Sequence, residues 1–186
     1  MKTEKTLMNI SRKISYLLRH NPEDLNIDRE GWVNTSDLLN KLNITITELD
    51  FIVNNNDKKR FGFNEDKSKI RARQGHSKDL NVNLTFNIVK NPKLYYHGTI
   101  LENILLIEKN GLIPKSRTHV HLSKDVMTAI NVGSRHNKNK SAVIVLEIDG
   151  WAMKRDGLSL YESENGVILA DEVPSKYIKR YVGESI

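Results

Sequence analysis

The chain has 186 residues, no cysteine, and 29 Lys and Arg against 23 Asp and Glu, for a formal charge of +6. That length suits one ordinary domain or two small ones. The missing cysteines exclude disulfides, thiol catalysis and cysteine-based zinc sites, which leaves His, Asp, Glu, Arg and hydroxyls for any chemistry. The basic balance suits a polyanionic partner and a plain solvated surface equally.

The pattern changes near residue 90, with Asn91-Pro92-Lys93 as a joint, so two lobes are predicted, 1–90 and 91–186. In the first, Ile10, Ile14, Leu17 and Leu18 give an amphipathic helix stopped by Pro22. The segment NTSDLLNKL opens with capping residues, and TELDFIVNN repeats the device. RFGF and SKIRAR are strand-like around the polar turn NEDK, so three helices and a two-stranded wing are expected, the outline of a winged helix. The second lobe reads as strand KLYYHGT, helix LENILLIEKNGL ending at Gly111, strand HVHLS, helix DVMTAINVGSR, then strands SAVIVLEI, SLYES, GVILA and YIKRYV. This order predicts an α+β fold with a mostly antiparallel sheet. No apolar run approaches a membrane span and the N-terminal MKTEKTLMNISRK lacks a secretion-signal core, so a cytoplasmic location is expected.

Several short stretches carry chemistry. In SRTHVHLS, Arg117, His119 and His121 stand at two-residue spacing, which in a strand aims all three at one face. Two histidines suggest a metal site, but no third ligand stands at a suitable spacing, and no metal is expected. LLRHNP ends the first helix with Arg19 and His20, cations that the helix dipole alone would explain. KIRARQGHS places Arg71 and Arg73 opposite Ile70 and Ala72, as solvated strand arginines also would be. YYHGT runs a strand into Gly98, where a backbone amide approaches a ligand closely. Asn165-Gly166 is a hairpin signal.

In their order and spacing, ISYLLRHNP, GWV, IRARQGHS, LYYHGT, SRTHVHLS, DVMTAINVGSRH, VIVLEID and DGLSLYESENGVILADEVPSKYI resemble the RNA (tRNA) 2′-phosphotransferases, which are NAD-dependent, over nearly the whole chain. The resemblance implies a winged-helix-like RNA- and phosphate-binding N-terminal lobe and an NAD-binding C-terminal lobe of ADP-ribosyltransferase type with a split sheet. It implies removal of an internal RNA 2′-phosphate, as at a tRNA splice junction. The reaction passes through a 2′-phospho-ADP-ribosylated RNA and gives 2′-OH RNA, nicotinamide and ADP-ribose 1″,2″-cyclic phosphate. Arg19, His20, Arg71 and Arg117 match the family's catalytic, phosphate-binding set. His97, Gly98 and Thr99 match its nicotinamide-ribose strand, and His119 and His121 would line the NAD site. Ser123, Thr128 and Arg135 would serve the ADP part, and Asn165 and Gly166, also expected to bind NAD, stand where protein-modifying relatives of this fold carry a glutamate. NAD is the expected co-substrate and a 2′-phosphorylated, tRNA-like RNA the expected partner of a monomer. An ADP-ribosyltransferase acting on terminal phosphates, or a winged-helix nucleic-acid regulator without enzymatic activity, are the competing readings.

Overall fold

A computed structural model describes residues 2–56, 58–135 and 142–182. His136, the last residue of the block DVMTAINVGSRH, lies outside the described residues. The fold is α+β with antiparallel sheets, in two compact units: Met1–Thr85 with Ser116–Thr118, and Phe86–Lys115 with His119–Ile186. The boundary expected at residue 90 falls five residues earlier. The cause is Asn87-Ile88, which pairs with Tyr161 and Glu162 of the second unit.

The N-terminal unit runs α1 (Glu4–Arg19), β1 (Trp32–Asn34), α2 (Thr35–Leu42), α3 (Ile46–Asn54), β2 (Phe61–Phe63) and β3 (Lys69–Ala72). Helix α1 buries Leu7, Ile14, Leu17 and Leu18 on its apolar stripe and is capped by the Thr3 hydroxyl. A capping box opens α3, but its Thr is Thr45 and not Thr47. Thr45 Oγ1 accepts from Glu48 N at 3.2 Å and Thr45 N donates to Glu48 Oε2 at 3.1 Å. The expected two-stranded wing has a third strand. β1 pairs with β3 at Trp32 and Arg71, giving the order β1-β3-β2. At three residues β1 is too short for alternation to reveal it. Ile14, Leu17, Leu18, Leu38, Leu49, Phe61 and Ile70 fill the core.

The C-terminal unit runs β4 (Asn87–Ile88), β5 (Leu94–Ile100), α4 (Ile104–Asn110), β6 (Val120–Leu122), α5 (Val126–Ser134), β7 (Val143–Asp149), α6 (Gly150–Arg155), β8 (Leu160–Glu162), β9 (Ile168–Ala170) and β10 (Ile178–Arg180). β4 and α6 are additions to the predicted elements. The strands form two sheets, β10-β7-β5 and β4-β8-β9-β6. One bridge links them: Tyr96 N donates to Ser123 O at 2.9 Å, and Ser123 N to Tyr96 O at 2.7 Å. Past it β5 continues along β7 while β6 turns to β9, so the sheet splits at this point.

Candidate active site

In the N-terminal unit a cationic cluster forms where α1 ends. Arg19 is the last helical residue and is only 8% exposed. Its Nη1 donates to Ser15 Oγ at 3.3 Å, but its buried Nε and Nη2 have no hydrogen-bond partner. A cation placed at a helix end for the dipole alone would stay solvated. This one is desolvated beside further cations. Burial first, then Arg117 and Arg60, pull its pKa down to about 9.

His20 caps the same helix. Its Nδ1 and Ser77 Oγ share a hydrogen bond of 2.8 Å, and burial, Arg117 and Arg19 lower its pKa. Ser77 fastens this corner: its N–H donates to Arg19 O at 2.7 Å, and its backbone bridges that of Arg117. Lys78 N adds a bond to Ser116 O at 3.0 Å. The expectation that Arg117, His119 and His121 share one strand face is therefore corrected. Strand β6 covers only Val120–Leu122, and Ser116–Thr118 belongs to the N-terminal unit because its backbone pairs with residues 77 and 78.

Arg71 comes from β3, half-buried, its guanidinium 4.3 Å from the Trp32 ring and donating to Glu30 O at 3.3 Å. His76, not among the site residues expected from the sequence, is 2% exposed with an unpartnered Nε2. Burial, then the charges of Arg19, Arg71 and His20, push its pKa down to about 4, so it is neutral at neutral pH. Arg19, His20, Arg71 and Arg117 thus gather around His76 and Ser77, and a Cβ at Gly75 would stand 3.7 Å from the Arg19 guanidinium carbon. Such a cluster with two idle buried donors is complementary to a compact oxyanion.

In the C-terminal unit the predicted residues divide. His97 Nδ1 donates to His121 O at 3.1 Å across the split. Tyr96 bonds toward β6, so Gly98, two residues on, turns its N–H and C=O to that same edge. Gly98 also answers a packing need that the sequence does not reveal. A Cβ there would stand 1.8 Å from Ala129 O, so only glycine lets α5 lie this close to β5. Thr99 is buried and accepts from Asn103 Nδ2 at 3.2 Å, a partner passed over in the sequence. His119 packs edge-on against Phe86 and Tyr161, with Nε2 3.6 Å from Asp171 Oδ1; burial lowers its pKa and Asp171 opposes this.

Ser123 holds the bridge to Tyr96. Thr128 is exposed, its hydroxyl donating to Asp125 Oδ2 at 2.9 Å, and Arg135 is exposed at the other end of α5, about 10 Å along the helix. Asn165 and Gly166 form the β8–β9 turn, with Gly166 at φ 78° and Asn165 Oδ1 accepting from Ser163 Oγ at 2.9 Å.

A sequence profile of "RNA 2'-phosphotransferase, Tpt1 / KptA family" matches residues 5–172. The chain belongs to this family. Proteins named "Probable RNA 2'-phosphotransferase" are similar to it along their length. The one from Fusobacterium nucleatum is 48% identical, the match covering 92% of this chain and 97% of the relative. That from Flavobacterium johnsoniae is 45% identical over 95% and 97%, and that from Burkholderia pseudomallei 42% identical over 91% and 92%. In this chain ISYLLRHNP builds the buried arginine and its capping histidine, and IRARQGHS builds the strand and turn that meet them.

Proposed function

We propose that the protein is an NAD-dependent RNA 2′-phosphotransferase that takes an internal 2′-phosphate at the cationic cluster of its N-terminal unit. The observation that carries this is Arg19: a buried guanidinium with two idle N–H donors, among Arg71, Arg117 and His20, in a family named for 2′-phosphate transfer. A phosphate dianion would satisfy those donors and relieve the repulsion among the cations. We read the N-terminal unit as winged-helix-like and the C-terminal unit as ADP-ribosyltransferase-like, its split sheet taking NAD.

The residues at the split suit that group. The outward N–H and C=O of Gly98 match a carboxamide, and His97, fixed by His121 O, and Ser123 border the same edge. Bound NAD supplies an electrophilic ribose carbon. A 2′-phosphate oxygen of the RNA forms a bond there as nicotinamide leaves with the bonding pair. The neighbouring ribose hydroxyl then attacks phosphorus, the RNA 2′-oxygen departs and takes up a proton, and ADP-ribose cyclic phosphate remains. Arg19, Arg71 and Arg117 hold the phosphoryl oxygens through both steps. His20, oriented by Ser77, is the group of the set suited to pass a proton, its pKa held below the usual histidine value by burial and then by Arg117 and Arg19.

A neutral acceptor needs a carboxylate to activate it, whereas a phosphate is already an anionic nucleophile. The β8–β9 turn accords with that. Asn165 fills the position, Glu164 is exposed, and Glu162 is paired to Lys124 at 2.5 Å. The test is incubation with NAD and two oligoribonucleotides, one carrying an internal 2′-phosphate and one a terminal phosphate. Nicotinamide, 2′-OH RNA and cyclic ADP-ribose phosphate from the first support the proposal. Stable ADP-ribosylation of the terminal phosphate alone would overturn it.

A further inference from the structure

Beside the cationic cluster, and within the same unit, a cavity of about 610 Å³ opens between α1 and the end of α3. Its wall includes Arg12, Ser15, Asn55, Asn56, Lys58 and Arg60, with Glu4 as the single acid among the described lining residues. Two of these are tied to the structure around them. Asn56 is buried, and its Oδ1 accepts from Arg60 Nη1 and from Lys58 N, each at 3.1 Å, so it orients the cationic segment. Ser15 connects the cavity to the cluster by accepting from Arg19 Nη1, and the charge of Arg60 reaches Arg19.

On α1 Arg12 and Tyr16 stand four residues apart, about 6 Å along one ridge of the helix, and the capping His20 follows four residues later. Tyr16 is 51% exposed, its ring 6.1 Å from that of His20 and tilted by 48°. An aromatic ring on the solvent side of an amphipathic helix contributes nothing to the core, and here it stands one turn from the phosphate site.

We propose that this ridge and cavity form a track for the single-stranded RNA flanking the 2′-phosphate: Tyr16 stacks a base, while Arg12, Lys58 and Arg60 meet backbone phosphates. The inference rests on the reading of the cluster as the 2′-phosphate site. Alternating aromatic and cationic side chains suit unpaired nucleotides, because every base has a π face and the backbone charge is uniform.

The test compares kcat/KM for a 2′-phosphorylated dinucleotide and for a single-stranded oligonucleotide of about six residues carrying the same 2′-phosphate. The wild-type protein is expected to favour the longer substrate by about tenfold or more, through two or more added phosphate contacts and a stacked base. The Arg12→Ala/Lys58→Ala protein should lose most of that preference, and its slope of log kcat/KM against log salt should flatten by about 1.4, or roughly 0.7 per lost contact. Tyr16→Ala should cut the preference by about fivefold or more, and Tyr16→Phe should keep it, since stacking uses the ring. An unchanged preference in both the double variant and Tyr16→Ala would overturn the track. So would equal kcat/KM when the flanking nucleotides are held in a duplex. A wild-type protein that removes the 2′-phosphate from neither substrate would instead overturn the underlying reading of the cluster.

Discussion

Arg19 is held where its charge is costly, and its backbone C=O is engaged by Ser77. Replacing a desolvated charge with an apolar side chain of similar volume is often stabilising. Arg19→Met is therefore expected to melt no lower than the wild type while losing at least about a hundredfold in rate, the size of one lost pre-organised donor, about 2.7–4 kcal/mol. Calorimetry with single-turnover kinetics checks both halves. A collapse of the melting temperature would make Arg19 a structural residue.

His76 adds a pH signature. Its folded pKa of about 4 lies below its ordinary 6.5, so between those values the unfolded chain binds more protons. Stability should then fall as pH drops from about 6.5 toward 4 and stop falling below that. His76→Gln, which takes up no proton there, should flatten this limb in melts recorded across the range. Arg117→Ala should move the pKa of His20 back upward, because Arg117 stands second only to burial among the causes of its depression. An NMR titration of the His20 ring would register the change.

At the scale of elements, α5 against β5 is the tightest fit. Gly98 would place a Cβ 1.8 Å from Ala129 O, a backbone atom that cannot yield without shifting the helix. At Gly133 the nearest atom is the Val143 Cγ1 side-chain methyl at 2.9 Å, with Gly98 C at 3.0 Å. Gly98→Ala should therefore destabilise by about 3 kcal/mol or more and Gly133→Ala by less, within the roughly 1–3 kcal/mol typical of overpacking. Urea denaturation of the two variants gives the ranking, and a reversed order would contradict this packing. Sequence suggests Gly98 only as a ligand-facing glycine, because the helix backbone it meets, at Ala129, comes from 31 residues further on.

For the whole molecule, the formal charge of +6 and the gathering of arginines in one unit should make RNA turnover fall with salt. The prediction is a negative slope of log kcat/KM against log salt for the RNA, and a much shallower one for NAD at saturating RNA. Equal slopes would mean a general ionic-strength effect on the enzyme.

Periodicity and capping residues determined most of the elements, the antiparallel α+β class and the residue types available for chemistry. These are local properties, encoded by side chains that alternate or recur within one segment. The ordered motifs also determined which residues were candidates for the site. Tertiary structure alone decided how those candidates assemble. The bond from Ser77 N to Arg19 O joins residues 58 positions apart, and the Ser77–Arg117 bridge joins residues 40 apart. Neither leaves a trace in local pattern, so the three-residue strand β1, the membership of Arg117 in the N-terminal unit rather than in strand β6, and the neutral, buried His76 were all invisible to it. The same holds for the idle donors of Arg19. A helix-terminal arginine reads as solvated until the fold closes over it, and only then does its charge call for an anion.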